Sequence, residues 1–249
     1  MSPADPNVNA SASPRLLALD TATEVVHLAL VTGDRVRVLG VGGGAQASST
    51  TLSALQTLLA EAGLAWDELD AIAFGRGPGA FTGLRTACAI AQGLALAADC
   101  PVIGLDTLMA VAEDARQSDP QAWAPGDLLW VAQDARMGEL YVAAYRWLGT
   151  HWQLEAEPQL WALGVPRERW AGSTTQRVAG NALLAHPAAF EGLSDATWPQ
   201  AAPRGAALAS LAHQAWARGE CQDAALALPL YVRDKVAQTT AERLAAKRL

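Results

Sequence analysis

The sequence is poor in positive charge, and lysine is nearly absent from it. Lys235 and Lys247 are its two lysines, and 18 basic residues are outnumbered by 25 acidic ones, so the net charge is −7. Because proteins hold nucleic acids largely through cations that neutralise phosphates, this balance argues against a free-standing module for binding RNA or DNA. The basic residues Arg243, Lys247 and Arg248 near the end are interpreted as a solvated tail.

Cysteine and histidine are scarce, and neither has the spacing of a binding site. The three cysteines form no CxxC pair, so neither a zinc motif nor a disulfide framework is indicated. The four histidines, His27, His151, His186 and His213, fit no metal-ligand pattern, and no metal site or cofactor is predicted. His27 falls inside a strand pattern and is interpreted as a structural histidine.

Targeting and membrane signals are missing as well. The first fourteen residues are polar and lack the basic end and apolar stretch of a signal peptide, so they are predicted to be a disordered leader. No run approaches the roughly eighteen contiguous apolar residues of a membrane span. With 51% hydrophobic and 17% charged residues, the chain is typical of a globular protein. We expect it in the cytoplasm, without membrane contact.

The first half of the chain predicts strands and helices in the order βββαβα, followed by a further strand and helix. Strand patterns cover 15–19, 25–31, 35–39, 70–74 and 102–104, and the apolar run before Asp20 is typical of a buried strand. Helices are predicted at 52–62, where leucines recur on one face before Gly63, at 82–98, and from Thr107. This order is that of a ribonuclease-H-like half-domain.

The second half begins in the same way. The apolar run 128–133 ends at Asp134 and a strand follows at 140–147, just as the first strand ends at Asp20. Duplicated halves of this kind build actin-like folds, in which each aspartate loop faces a cleft for ATP and its metal. We therefore predict an α/β protein of the actin-like, ribonuclease-H-like (ASKHA) class. Its two lobes would each hold a mixed β-sheet flanked by helices.

These patterns also predict boundaries. Residues 1–14 would form the leader, 15–110 the first lobe, 111–202 a smaller second lobe, and 239–249 a tail. A last helix is predicted from Pro203 to just before Gly219, and 203–238 would pack, with an extended end, on the first lobe. The region 149–202 allows few assignments. Its four tryptophans, Trp152, Trp161, Trp170 and Trp198, are interpreted as the packing of a small core.

The two aspartate loops lack the residues that ATP chemistry needs. They read Asp20-Thr-Ala-Thr23 and Asp134-Ala-Arg136, without the glycine that would let the backbone approach a phosphate. Asp20, Thr21, Thr23, Asp134 and Arg136 are therefore interpreted as a vestigial cleft, and no catalytic residue is predicted. The alternative is an active actin-like ATPase or kinase that uses Asp20 and Asp134 with magnesium.

A glycine-rich segment, Gly75-Arg-Gly-Pro-Gly-Ala-Phe-Thr-Gly-Leu-Arg85, leaves a predicted strand and enters a predicted helix. That geometry points backbone N–H groups at an anion. However, no lysine follows the glycines as in a Walker loop, and Ala80 breaks the GxGxxG pattern. The residues leave three hypotheses open: an anion cradle, a protein contact surface, or a tight turn with positive φ. The candidate nucleotide- or anion-contact residues are Gly75, Gly77, Gly79 and Gly83.

Several motifs, in order along the chain, resemble the bacterial TsaB (YeaZ) family. They are the strand and loop 17–23, the glycine-rich segment 75–85, Ala91-Gln-Gly-Leu-Ala-Leu96 and Asp134-Ala-Arg-Met-Gly-Glu139, and Tyr231-Val-Arg233 is similar to the closing motif of the family. The resemblance implies a two-lobed actin-like protein without catalytic activity of its own. Such proteins are accessory subunits for the formation of N6-threonylcarbamoyladenosine in tRNA.

The resemblance also implies partners and a contact surface. The partners would be the catalytic paralogue TsaD, the ATPase TsaE and a second copy of the chain, and tRNA would be reached only through the complex. The first-lobe helices and the edge of the glycine-rich segment would form the partner and dimer interface. Its residues would be Leu52, Leu55, Arg76, Pro78, Phe81, Thr82, Arg85, Ala89 and Gln92. A peptidase is disfavoured because the sequence has no metal motif and no GxSxG elbow.

Overall fold

The computed structural model describes residues 13–43, 47–171, 176–192 and 196–233. Most of the predicted leader and all of the predicted tail lie outside these ranges. The strands are β1 Arg15–Asp20, β2 Val25–Thr32, β3 Arg35–Gly42, β4 Ala71–Gly77, β5 Val102–Asp106, β6 Leu128–Asp134, β7 Glu139–Trp147, β8 Trp152–Ala162, β9 Arg177–Ala179 and β10 Ala196–Trp198. The helices are α1 Ala47–Ala62, α2 Phe81–Ala98, α3 Thr107–Ser118, α4 Val165–Arg169, α5 Ala182–Ala185, α6 Pro187–Phe190 and α7 Gly205–Ala217.

The strands form two five-stranded sheets with the same topology. In the first, of order β3-β2-β1-β4-β5, β1 pairs antiparallel with β2 and parallel with β4. In the second, of order β8-β7-β6-β9-β10, β6 pairs antiparallel with β7 and parallel with β9. Asp20 and Asp134 end the equivalent strands β1 and β6. The predicted fold class, an actin-like and ribonuclease-H-like fold with two mixed sheets, is confirmed.

Both faces of the first sheet are buried at its centre around β1, where successive side chains point to opposite faces. Leu17 and Leu19 pack in a core with α1 and α2. Leu16 and Ala18 pack in a second core with α3 and α7. Because α3 also contacts β6 and β7, the pair α3 and α7 lies between the two sheets. Burial on both faces explains the continuous apolar run before Asp20. Since α3 contacts both sheets and extends across position 110, the lobe boundaries at 110 and 202 stay a prediction.

The helices differ from the predicted ones mainly at their starts. α1 begins at Ala47, before the predicted start at 52, and Thr51 is fully buried, so helical packing precedes the first leucine. α7 begins at Gly205 and not at Pro203. A Cβ on Gly205 would lie 2.4 Å from the Leu28 carbonyl oxygen, so the helix starts in close contact with β2. The predicted ends hold, because Gly63 and Gly219 follow their helices with φ of +68° and +71°.

The tryptophan-rich region forms the outer part of the second sheet. It contains β8, β9, β10 and α4 to α6, which the sequence pattern did not reveal. Trp161 and Trp170 pack with Phe190 in a core on the outer face of this sheet, and Trp152 packs between the two sheets. The interpretation as core residues is confirmed for these three tryptophans, and Trp198 packs partly buried against the core.

A buried carboxylate ties the layer between the sheets together. Glu113 on α3 is 0% exposed, and its two oxygens accept hydrogen bonds from Arg116 at 2.7 and 2.8 Å. Ser210 of α7 donates to it at 2.7 Å, and Trp152 Nε1 of β8 donates at 3.0 Å. Burial alone would raise the pKa of the Glu113 carboxyl, but Arg116, Ser210 and Gln117 hold that pKa below its ordinary value.

We expect Glu113→Gln to lower the free energy of unfolding by about 3 kcal/mol, since it leaves Arg116 without its partner and turns an amide N–H toward buried donors. The matched control is Glu61→Gln on the exposed side of α1, which should change stability by less than about 0.5 kcal/mol. Urea denaturation of the three proteins measures both values. Equal midpoints for the two variants would contradict the assigned role of Glu113.

Candidate functional site

The first aspartate loop is enclosed by the protein. Asp20 is 0% exposed at the end of β1. Its Oδ1 accepts the Ala22 N–H at 2.7 Å, and its Oδ2 accepts the Thr107 hydroxyl at 2.7 Å. Burial raises the pKa of the Asp20 carboxyl to about 6, against the lowering effect of these two hydrogen bonds. Both oxygens of this carboxylate are therefore engaged within the fold.

The glycine-rich segment packs directly on that loop. A Cβ on Gly75 would lie 1.9 Å from Asp20 Oδ2, and one on Gly83 would lie 2.0 Å from the Thr21 carbonyl oxygen. Gly79 is equally close, with a Cβ only 2.6 Å from that of Ala22. The Thr21 hydroxyl also donates to the Gly83 carbonyl at 2.6 Å. The space beside these glycines, where an anion would have to approach, is filled by residues 20–22.

Gly77 serves a different purpose from the other three glycines. Its φ of +115° is in the region that favours glycine. A Cβ there would lie 3.0 Å from the Leu230 carbonyl oxygen. Among the three hypotheses for this segment, positive φ thus applies to Gly77, whereas Gly75, Gly79 and Gly83 are required for close packing.

The second aspartate loop is more open and is held by polar contacts. Asp134 Oδ1 accepts the Arg136 N–H at 2.9 Å and lies 3.1 Å from His186 Nε2, while the Asp134 N–H donates to the Asn181 side chain at 2.8 Å. Burial works to raise the pKa of the Asp134 carboxyl, but His186 and Arg136 together hold it below its ordinary value. Arg136, Met137 and Gly138 have φ of +64°, +57° and +75°, so two non-glycine residues adopt a disfavoured left-handed backbone.

An arginine connects the two aspartate loops. The Arg136 guanidinium lies 2.6 Å from the Glu24 carboxylate, which follows the first loop, and 3.9 Å from Asp134 Oδ2. The positive charge next to this pair of carboxylates is therefore supplied by the chain itself. Within the described ranges, no group of three or more His, Cys, Asp or Glu side chains has the arrangement of a metal site.

The predicted cleft residues divide into two groups. Asp20 and Thr21 contact the glycine-rich segment, and Asp134 and Arg136 form the second loop. Thr23 belongs to neither group, because its hydroxyl donates to the Val25 carbonyl at 2.8 Å. Sequence reasoning missed Thr107, Asn181, His186 and Glu24. Only Thr107 had a local signal, since it follows the end of a strand at Asp106.

The outward sides of α1 and α2 form a second candidate site. The two helices contact each other, and each contains a single charged residue, Glu61 in α1 and Arg85 in α2. Leu52 is 41% exposed and Leu96 is 74% exposed. Thr82, Ala89 and Gly93 are exposed as well. We call this surface the helical face; it is weakly charged and rich in small and apolar residues.

Four of the predicted interface residues are not freely presented on the helical face. Leu55 is 0% exposed in the core beneath α1, and Pro78 is buried, so neither side chain can reach a partner. Gln92 is half-buried and donates to the Ala227 carbonyl at 3.2 Å. Arg76 pairs with Asp106 at 2.6 Å and lines a cavity of about 540 Å³ together with α7, so its side chain faces α7. Phe81, Thr82, Arg85 and Ala89, with Leu52, remain at the surface.

α2 is apolar on average, although Thr82, Arg85 and Gln92 interrupt its apolar residues. In the part of the chain that the structure describes, it is the one helix long and apolar enough to cross a membrane by length and composition. It packs on β4, and a third of its residues are buried. One side of α2 packs in the core, and its other side is the weakly charged helical face, so apolar residues occur on both sides.

Comparisons with known proteins agree with this geometry. A family model described as TsaD, tRNA N6-adenosine threonylcarbamoyltransferase, matches residues 44–165. The tRNA threonylcarbamoyladenosine biosynthesis protein TsaB of Escherichia coli (strain K12) is 37% identical over 154 residues, which are 59% of this chain and 64% of that protein. The TsaB protein of Haemophilus influenzae is 42% identical over 129 residues, 51% of each chain. The match thus spans less than two thirds of these relatives.

Two solved structures match over more of the chain. YeaZ from Pseudomonas aeruginosa has a TM-score of 0.77 and 33% identity, with 88% of this chain and 99% of that chain covered. A second Pseudomonas aeruginosa structure, of a protein described as similar to peptidase YeaZ, has a TM-score of 0.79 and 34% identity, with 88% and 100% covered. The similarity therefore includes both sheets.

The raised pKa of Asp20 predicts an unusual pH dependence of stability. Between its ordinary pKa of 3.8 and about 6 the folded state binds more protons than the unfolded state, so stability falls as pH rises through this window. Asp20→Asn removes this contribution. Between pH 4 and pH 7, the free energy of unfolding of the variant should rise by about 3 kcal/mol relative to that of the wild type. Urea unfolding at several pH values measures it, with the exposed Asp67→Asn as control. Parallel pH profiles of Asp20→Asn and wild type would contradict the assignment.

Two glycines of the same helix predict opposite effects of alanine. Gly83→Ala should destabilise the protein by about 2 kcal/mol or more, because its Cβ meets the Thr21 carbonyl and the loop must move. Gly93→Ala has no atom within 4 Å of its Cβ and should stabilise by up to about 1 kcal/mol through helix propensity. Thermal unfolding distinguishes them. A stabilising Gly83→Ala would show that the loop is not packed as described.

Proposed function

We propose that the chain, which belongs to the TsaB/YeaZ family, is a non-catalytic accessory subunit for forming N6-threonylcarbamoyladenosine in tRNA. Its Escherichia coli and Haemophilus influenzae relatives are named tRNA threonylcarbamoyladenosine biosynthesis proteins. The chain binds and activates a TsaD-like catalytic subunit together with a TsaE-like ATPase. A second copy of the chain binds the same surface when the catalytic subunit is absent. The complex works in the cytoplasm.

The observation that carries this proposal is the helical face. Solvent-facing helices normally carry many charges, and contiguous weakly charged apolar surface is typical of a binding site. α1 and α2 have one charged residue each, and their exposed side chains include Leu52, Ala89 and Leu96. Association with a partner would remove this surface from water.

The aspartate loops support a role without catalysis. Residues 20–22 pack directly on the glycines beside Asp20 and occupy the space in which a phosphate would approach the glycine backbone. Next to Asp134, the Arg136 guanidinium already neutralises the carboxylates of Asp134 and Glu24. An ATPase or kinase would need the opposite arrangement, with space for nucleotide and a divalent cation between the loops.

The charge of the chain supports an indirect relation to tRNA. With a net charge of −7, the chain does not offer the surface of cations that holds a polyanion. The catalytic subunit would therefore supply the tRNA contacts, and this chain would act on that subunit through the helical face.

A reconstitution tests the proposal. The chain, the TsaD-like and TsaE-like proteins of the same organism, and the enzyme that supplies the threonylcarbamoyl intermediate are combined with unmodified tRNA, and each component is omitted in turn. We expect the modified nucleoside, quantified by mass spectrometry, only when this chain is present. Full modification without it would overturn the proposal. Tight, magnesium-dependent ATP binding by the isolated chain in calorimetry would favour the ATPase or kinase.

A charged substitution on the helical face should separate assembly from folding. Ala89→Glu is expected to abolish co-purification with the TsaD-like subunit and to lower modification by at least about tenfold, because a carboxylate would be buried without a partner. The control is Ala188→Glu on the exposed side of α6, which should bind and modify normally. Both variants should unfold at the temperature of the wild type. Normal modification by Ala89→Glu would show that the helical face is not the contact surface.

A further inference from the structure

The end of the described chain runs alongside α2. We call residues 227–233 the strap. Its Ala227 carbonyl accepts a hydrogen bond from Gln92 at 3.2 Å, and the Leu230 N–H donates to the Arg76 carbonyl at 2.7 Å. At its far end, Arg233 donates to the Ala135 carbonyl at 3.1 Å and to the Glu139 carboxylate at 2.5 Å. The strap therefore borders the helical face and is fastened at both ends.

One arginine on this border is held by aromatic side chains. The Arg85 guanidinium lies 4.0 Å from the centre of the Phe81 ring, and its Nε donates to the Tyr231 hydroxyl at 3.0 Å. The Phe81 and Tyr231 rings are themselves 5.2 Å apart. Within the described ranges, the two terminal nitrogens of Arg85 make no hydrogen bond and no salt bridge. The guanidinium is thus held by one hydrogen bond and one ring, and its outer donors have no partner among the residues that the structure describes.

We propose that Arg85 is a preorganised receptor for a carboxylate on the protein partner, and that Tyr231 of the strap is its positioning residue. The inference rests on the proposed function and adds the chemistry of recognition to it. An arginine fork with free terminal N–H groups matches a carboxylate in two parallel hydrogen bonds. Stacking on Phe81 and the bond to Tyr231 remove side-chain freedom before binding, which lowers the entropic cost of the contact.

The surroundings of Arg85 favour a protein carboxylate over a nucleic-acid phosphate. It is the single charged residue of α2, and the border beside it exposes Leu226 by 57%, Leu228 by 65% and Tyr231 by 45%. Phosphate backbones are held by several cations at once, whereas one arginine among apolar and aromatic side chains is typical of a protein interface. The partner should therefore present an Asp or Glu within an apolar helical surface.

A double-mutant cycle tests the pairing of Arg85 with Tyr231. Binding of the purified TsaD-like subunit is measured by calorimetry for the wild type, Arg85→Gln, Tyr231→Phe and the double variant. We expect the Kd to rise on the order of tenfold for Arg85→Gln and a few-fold for Tyr231→Phe. Tyr231→Phe keeps the ring on Phe81 and should have no further effect in the Arg85→Gln background, because it acts only through Arg85.

A salt titration identifies the contact as an ion pair. The wild-type Kd should rise more steeply with NaCl than the Kd of Arg85→Gln. The Kd of Arg85→Lys at low salt should lie between those of the wild type and Arg85→Gln, because lysine keeps the charge but cannot form two parallel hydrogen bonds with a carboxylate. Thermal unfolding of all variants should match the wild type. An effect of Tyr231→Phe that is equal in both backgrounds would overturn its positioning role.

Three further results would overturn the carboxylate receptor, and they are distinguishable. Unchanged Kd for Arg85→Gln, with wild type binding normally, rejects this inference and leaves the proposed function intact. If Arg85→Gln leaves this Kd unchanged but the assembled complex retains tRNA more weakly, Arg85 contacts a phosphate of the tRNA. Failure of the wild-type chain to bind the TsaD-like subunit rejects the proposed function and the inference with it.

Discussion

The close contact between residues 20–22 and the glycine-rich segment determines where α2 lies and how the first aspartate loop is filled. The Asp20 carboxylate occupies the space that a side chain at position 75 would need, and the Thr21 carbonyl does the same at position 83. That contact joins the end of β1 to the start of α2, so it places α2 on the sheet and fills the first aspartate loop at the same time. The first aspartate loop is therefore packed against the glycine-rich segment, and α2 keeps an outward side whose one charged residue is Arg85.

The layer between the sheets makes the two halves one structure. α3 packs on both sheets, whereas α7 packs on α3 and on the first sheet, and the Glu113 carboxylate joins these helices to Trp152 of β8. Four kinds of donor converge on this single buried anion, so its desolvation is compensated only in the assembled arrangement. Identical topology in the two sheets therefore does not imply identical surroundings. The glycine-rich segment packs on the Asp20 loop and buries it. The Asp134 loop is partly exposed, and the Arg136 guanidinium lies next to its carboxylate.

The elements with strong local patterns were predictable. The strand before Asp20 reads as an uninterrupted apolar run, and Gly63 and Gly219 mark helix ends through positive φ. The region 149–202 was not predictable, because β9 and β10 have three residues each and show no period. The predicted start of α7 at Pro203 was wrong for another reason. Pro203 is a good first helical residue, but the approach of Gly205 to β2 decides where the helix begins.

The sequence by itself determined the fold class, the family resemblance and the lack of glycine in the two aspartate loops, because these depend on residue types at short spacing. Only the tertiary structure decided which of these residues are available. Leu52 and Leu55 follow the same helical pattern, yet one is 41% exposed and the other is in the core. Arg85 and Tyr231 are separated by 146 positions and meet at 3.0 Å. Such contacts arise from packing between distant segments, which no local period encodes.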